Sequence, residues 1–265
     1  KDGRRNGKTI EFFYNGRQRK VIYYSNGLKS GSAKEYRITG ELLRTEEYRN
    51  DILEGLKTEW HPNGNKVLEV SMKNGKPHGE AKEWYPEGTN KSSTIYRHGL
   101  REGPSSEWYP SGQRKLGVFY QKDQLHGLRT VWYENGQTRL IAQFVDDKME
   151  GNSKGWFSNG QQQFDFNFRN DLEHGICSEW NEGGDKISEL RFVDGTPVQD
   201  LLSGENIETP SDTAPLPNEV SNDSSPDPTI NISESSKNQE SEDIRANKIE
   251  ADNDDPKLTD SNSSD

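Results

Sequence analysis

Residues 127–136 read Gly127-Leu128-Arg129-Thr130-Val131-Trp132-Tyr133-Glu134-Asn135-Gly136, and the two glycines that bracket them set a ruler for most of the chain. Glycines recur every 24 residues, at 7, 31, 55, 79, 103, 127, 151 and 175. A second glycine follows each by nine residues, at 16, 40, 64, 88, 112, 136, 160 and 184. Five residues after the first glycine stand Phe12, Tyr36, Trp60, Trp84, Trp108, Trp132, Trp156 and Trp180, so every tryptophan of the chain keeps one register. Seventeen residues after it stand Tyr24, Tyr48, Met72, Tyr96, Tyr120, Phe144, Phe168 and Phe192. A fixed period of this length marks a repeat array. Eight units fill residues 7–198. Lys1-Asp2-Gly3-Arg4-Arg5-Asn6 resembles the close of a unit, such as Lys73-Asn74-Gly75-Lys76-Pro77-His78, and reads as the end of a truncated preceding repeat.

Each unit reads as a β-hairpin and a turn to the next. Large side chains alternate around Glu107-Trp108-Tyr109, as a strand requires, until Pro110-Ser111-Gly112 breaks the run. Sister units put Asn63-Gly64, Asn135-Gly136 or Asn159-Gly160 there, pairs that favour the positive φ of tight hairpins. The return run alternates again: Leu116, Val118 and Tyr120 match Leu68, Val70 and Met72, and Phe164, Phe166 and Phe168. A second turn follows, as Asn74-Gly75 or Asp194-Gly195. No segment has a helical period. The expected fold is all-β: an antiparallel meander of eight hairpins and sixteen strands, whose stability is close to one-dimensional.

Composition supports an open architecture and excludes several function classes. The chain has 265 residues, 28% hydrophobic, with a mean hydropathy of −1.15, too polar for one large compact core. Residues 1–198 carry a net charge of +2 and all 25 aromatics; residues 199–265 carry −13 and none. The longest apolar run is Val21-Ile22-Tyr23-Tyr24, far short of the ~18 residues of a transmembrane helix. A near-neutral body beside an acidic tail has no electrostatic footprint for nucleic acid. Cys177 is the single cysteine, so no internal disulfide and no cysteine-rich zinc site can form. The tail, 199–265, is rich in Ser, Asp, Glu, Asn and Pro and is expected to be disordered. It serves either as a solubilising extension or as a strap for a basic partner. The first residue is Lys1 rather than Met, so the compartment stays open between cytoplasm and cell envelope.

Gly79-x-x-x-Glu83-Trp84-Tyr85-Pro86-Glu87-Gly88 and Gly127-x-x-x-Val131-Trp132-Tyr133-Glu134-Asn135-Gly136 resemble bacterial variant MORN repeats. So do the closing stretches Asn74-Gly75-Lys76-Pro77-His78-Gly79 and Asp123-Gln124-Leu125-His126-Gly127. The resemblance covers residues 1–198. It implies a hairpin-repeat fold used for protein–protein contact or scaffolding and sometimes for membrane attachment. Many such proteins are grouped as the YwqK family and labelled antitoxins, which implies a non-enzymatic module that neutralises a toxin by covering it. The unit ending at Gly55 departs from the pattern, as does Asn181-Glu182-Gly183-Gly184, which reads as a cap.

Candidate sites follow from strand alternation. The Trp row is read as core, because buried aromatics are the largest single source of stability open to a thin sheet. Its neighbours then face outward: Tyr85, Tyr109, Tyr133 and Phe157 after Trp, and Glu59, Glu83 and Glu107 before it. That aromatic and acidic surface is the candidate partner-binding site, set against a solvated face laced by cross-strand ion pairs. His78, His126 and His174 alternate with Glu54, Glu102 and Glu150 along the repeats. Equivalent residues stand ~9.6 Å apart, two strand spacings, and one such row does not chelate a metal whose ligands lie at about 2.0–2.3 Å. No catalytic, cofactor-binding or metal-binding set is expected. Two alternatives stand beside the protein-binding module: an envelope protein that binds glycan through an aromatic row, and the targeting arm of an enzyme encoded upstream.

Overall fold

The computed structural model describes residues 3–207, and the expectation for the tail from residue 208 onward lies outside the described residues. Residues 7–200 form one open antiparallel sheet in which each strand pairs with the next along the chain, and no described residue is helical. Each repeat supplies an outgoing and a returning strand, such as Gly127–Trp132 and Thr138–Val145. Among the described residues the strand segments number twenty rather than sixteen. Three outgoing strands are broken near their start, leaving the short pieces Ile52–Leu53, Gln124–Leu125 and Leu172–Glu173. Thr196–Asp200 adds a last strand. It runs past the repeat boundary expected at 198, and the chain then folds back so that Ile207 N–H reaches Val198 O at 3.0 Å.

The two glycines of the ruler have different tasks. The second closes a hairpin turn: Gly112 N–H bonds Tyr109 O at 2.8 Å while Tyr109 N–H bonds Gln113 O at 2.8 Å, and Gly112 has φ 85°. This is a type I turn followed by a left-handed residue. The first glycine marks no turn. Arg101 pairs with Tyr96 and Ser105 with Thr94, so Glu102, Gly103 and Pro104 together face Ile95. Gly103 holds φ 116° in this wide bulge, a conformation closed to residues with a Cβ. The turn between repeats lies four residues earlier, at pairs such as Asn74-Gly75, Lys122-Asp123 and Asp194-Gly195. Both residues of each pair have positive φ, as a type I′ turn requires. All twelve non-glycine residues with positive φ among the described residues stand in these turns.

Cross-strand register explains why glycine and aromatic keep one beat. Gly103 lies opposite Tyr120, Gly127 opposite Phe144, Gly151 opposite Phe168 and Gly175 opposite Phe192. The ring occupies the face that glycine leaves bare. The same face carries the pairs Val131–Leu140, Ser153–Phe166, Gly155–Phe164 and Cys177–Leu190. Val70, Val118, Ala142, Phe166 and Phe168 are buried there. Phe164 and Phe166 rings lie 4.9 Å apart, and Phe166 and Phe168 rings 6.3 Å apart.

The inner face changes character along the chain. In the first repeats, Lys20, Arg44 and Glu46 stand in rows that later hold Leu or Phe, and Glu35, Lys57 and Glu59 stand on the strands beside them. Arg44 lies 2.6 Å from Glu35, 3.6 Å from Glu46 and 3.9 Å from Glu59. Lys20 reaches Glu35 at 3.4 Å and Lys57 reaches Glu59 at 3.2 Å. Burial, and then the hydrogen bond and charge of Glu46, push the Tyr48 phenol up, so it stays a donor to Glu46 at 2.8 Å. An ionic network thus fills in the first repeats the rows that aromatic stacking fills in the later ones.

Candidate binding surface

The pairing register decides which face each candidate residue occupies. Glu107 lies opposite Leu116, and Glu59 opposite Leu68, so the acidic row belongs to the inner face with the apolar rows. The Trp row takes the opposite, outward face. Trp132 shows this directly: a Cβ added to Gly117, between inward Leu116 and Val118, would meet the indole at 3.2 Å. The six tryptophans are half-buried rather than core. Three lie beneath a cation: Lys66 at 5.5 Å from the Trp84 centroid, Arg114 at 5.9 Å from Trp132 and Lys186 at 5.3 Å from Trp180. The sequence reading placed Trp inside because indole is the largest apolar group available. The returning strand's apolar residues decide the inner face instead, and they pair with the residue before Trp.

The acidic candidates are engaged. Glu83 pairs with Lys91 at 2.9 Å, Glu107 with Lys115 at 3.3 Å, and Glu59 with Lys57 and Arg44. The Glu83 hydrogen bond, against a smaller effect of burial, raises the Lys91 pKa. The aromatic candidates Tyr85, Tyr109, Tyr133 and Phe157 are half-buried. Three of them reach the next repeat: Tyr85 Oη donates to Trp108 O at 2.8 Å, Tyr109 Oη to Trp132 O at 2.9 Å, and Tyr133 Oη to Trp156 O at 2.9 Å. Arg37 makes the same link to Trp60 O at 3.0 Å. Burial raises the Tyr133 pKa, which keeps its proton on the donor. Phe157 occupies the same place without a hydroxyl. These rows tie repeat to repeat.

Both sides of the sheet carry further ties that spacing alone did not disclose. On the type I turns, Asn63 Oδ1 accepts from Asn65 N–H at 3.0 Å and its Nδ2 donates to Pro86 O at 2.7 Å; Asn15, Asn135 and Asn159 do likewise. On the type I′ turns, Asp123 N–H bonds Arg101 O at 3.0 Å and its carboxylate accepts Arg101 N–H at 2.7 Å. Asp51, Asp147 and Asp171 repeat the clamp. Where the preceding residue is Pro77, which has no N–H, the turn residue is Gly99 and only the Gly99 N–H to Pro77 O bond remains. The alternating His and Glu row has its explanation here. Glu54 accepts Asn74 N–H at 2.8 Å, Glu102 accepts Lys122 N–H at 2.9 Å, and His78 and His174 accept the equivalent N–H of His98 and Asp194. The row caps the neighbouring turn.

What protrudes on the outward face lies between these ties. Tyr23, Leu56, Phe119, Leu128 and Ile176 are exposed there, at the level where strands pass the wide bulges. Sequence reasoning missed them because they fall on two variable positions of the repeat: that of Leu56, Leu128 and Ile176 holds Lys8, Glu80 or Asn152 elsewhere, and that of Tyr23 and Phe119 holds Glu47, Ser71 or Gln143. Only their alternation with inward residues could have found them.

Two stretches, residues 53–74 and 125–146, match the family model described as MORN repeat variant. They lie three repeats apart in one register, and each opens just after one type I′ turn and ends on the first residue of the next. The matching unit is therefore bulge strand, type I turn and returning strand. No curated protein matches the chain. MORN repeats are generally binding and scaffolding modules, and no helix among the described residues is long and apolar enough to cross a membrane.

Proposed function

We propose that the repeat body is a non-enzymatic module that binds a protein partner, and that its specific role is that of an antitoxin which neutralises a toxin by covering it. The observation that carries this reading is the outward face: half-exposed indoles recur on each repeat from Trp60 to Trp180, and single apolar residues such as Tyr23 and Leu56 stand clear on the same face. Aromatic anchors on a rigid scaffold are what protein interfaces favour. Rigidity comes from the ties between successive turns, so little conformational entropy is lost on docking. The binding surface is shifted from the Tyr and Glu rows, whose polar groups are engaged within the sheet, to the outward Trp face.

The test has two arms. Co-expression with the product of each neighbouring gene identifies a toxin by rescue of growth. Titration of that purified partner against wild type and a Tyr23→Ser, Leu56→Ser variant then locates the surface. Weakened binding by the variant, with an unchanged far-ultraviolet dichroism spectrum, is expected. Failure of every neighbour to be rescued would remove the antitoxin role, and unchanged affinity would remove the surface.

A further inference from the structure

The outward face is not uniform. At its four inner strand positions, repeat 103–126 presents Pro104, Ser106, Gly117 and Phe119, and repeat 127–150 presents Leu128, Thr130, Ile141 and Gln143. None is charged. The flanking repeats carry ion pairs at the same positions: Glu80 with Lys82 at 2.9 Å on one side, Lys154 with Asp165 at 3.1 Å on the other. Lys82 and Ser93 hydrogen bonds hold the Glu80 carboxyl below its usual range. Phe119 is 45% exposed and Leu128 57% exposed, at the middle of the window. A charge-free centre with protruding apolar groups inside a polar rim is the anatomy of an interface.

We propose that this window is the contact face of a two-fold dimer of the chain, with the axis parallel to the strands and between Phe119 and Leu128. The two residues stand on the neighbouring strands Arg114–Gln121 and Gly127–Trp132. Such an axis lays repeat 103–126 on repeat 127–150 of the second copy, with like turns on the same side. Counting strands outward, Phe119 meets Leu128 of the second copy and Leu128 meets its Phe119, the reciprocity of an isologous contact. Ser106 then meets Ile141 of the second copy. At the rim, Lys82 meets Asp165 of the second copy and Ser93 meets its Lys154. Opposite charges face each other at both ends, by symmetry. Moving the axis one repeat toward the N-terminus would instead press the Glu80–Lys82 ion pair onto Phe119 and Gly117, desolvating it with no opposite charge supplied by the second copy. The sequence is thus self-complementary in the first of these two registers. This goes beyond the partner-binding reading and leaves Tyr23 free on the first repeat, beyond the last strand of the second copy.

Sedimentation velocity on the full chain, from low micromolar to submillimolar concentration, tests it. Wild type is expected to show a reversible monomer–dimer equilibrium, and the Phe119→Ser, Leu128→Ser variant to remain monomeric with an unchanged dichroism spectrum. Lys82→Asp should raise the dimer dissociation constant about fivefold to tenfold, and adding Asp165→Lys should recover it. A wild-type monomer at every concentration would overturn the proposal. So would a dimer that survives the Phe119 and Leu128 changes, or a failure of Asp165→Lys to restore what Lys82→Asp loses.

Discussion

Tyr109 donates its hydroxyl to the main-chain carbonyl of Trp132, 2.9 Å away and 23 residues further along the chain. The bond joins the type I turn of one repeat to the bulged strand end of the next. Such a bond contributes about 0.5–1.5 kcal/mol net. Tyr109→Phe should therefore lower stability by about 1 kcal/mol, read as a reduced urea midpoint at unchanged slope. The reverse change is available in the same row, where Phe157→Tyr would add a rung toward Trp180 and should raise the midpoint. A Tyr109→Phe chain as stable as wild type would show that the rung carries no load.

Ser153 is 1% exposed and its Oγ has no hydrogen-bond partner. It lies opposite Phe166 in the aromatic part of the inner face. Sister repeats put Ala33 and Ala81 at this place, so the backbone accepts alanine without strain. A buried unsatisfied hydroxyl costs about 1–3 kcal/mol. Ser153→Ala should stabilise the chain by about 1 kcal/mol, against the usual direction of core substitutions. Thermal and urea melts read the sign directly.

Much of this fold is legible in the sequence because a β-repeat writes its geometry twice in every unit. Gly112 and its equivalents mark the type I turns, and Asn74-Gly75 marks the type I′ turn, by chemistry that local sequence alone specifies. The wide bulge at Gly103 was hidden, because a glycine reads as a turn unless the pairing on both sides of it is known. Face assignment failed for the Trp row for a related reason. Alternation separates Glu107 from Trp108, and only the partner Leu116 says which of them is inside. The candidate surface was the least legible part. Phe119 and Leu128 keep no common chemistry across repeats, and departures from a repeat are what a pattern search discards.

Gly155 departs from the glutamate or valine found at its place in the other repeats. A Cβ there would lie 2.1 Å from Cε1 of Phe164, its cross-strand partner. The preceding repeat solves the same packing with Val131 opposite Leu140. Gly155→Val alone should destabilise by about 1–3 kcal/mol through overpacking. Combining it with Phe164→Leu recreates the sister pair and should recover most of that loss. A double-mutant cycle measures the coupling, and additive single effects would refute it.

Lys122 holds φ 53° in a type I′ turn where sister repeats use Asn26, Asn50, Asn74 and Asn170. A long side chain pays for this conformation with backbone strain that asparagine largely avoids. Lys122→Asn keeps the N–H that Glu102 accepts at 2.9 Å. It should raise stability by about 0.5 kcal/mol, seen as a slower unfolding rate or a higher melting midpoint. Asp123→Gly in the same turn should do the opposite despite the good conformational match, because it removes the carboxylate that accepts Arg101 N–H at 2.7 Å.

The ionic first repeats should make the chain acid-sensitive at one end. Burial pulls the Glu35 carboxyl upward, but the hydrogen bond and charge of Arg44, with Lys20, more than reverse it, so its pKa lies below the ordinary carboxylate value. A group depressed in the folded state contributes stability that is complete above its unfolded pKa. That contribution is lost as pH falls through the ordinary range toward the folded value. Residues 148–169 place Gly155, Phe164 and Phe166 in the rows where the first repeats hold Glu35, Arg44 and Glu46. Hydrogen exchange as a function of pH should therefore show residues 18–49 losing protection in acid before residues 148–169. Glu35→Gln should lower stability near neutral pH and converge on wild type in acid, where both side chains are uncharged. A constant difference across the titration would mean that the carboxylate's charge is not what Arg44 holds.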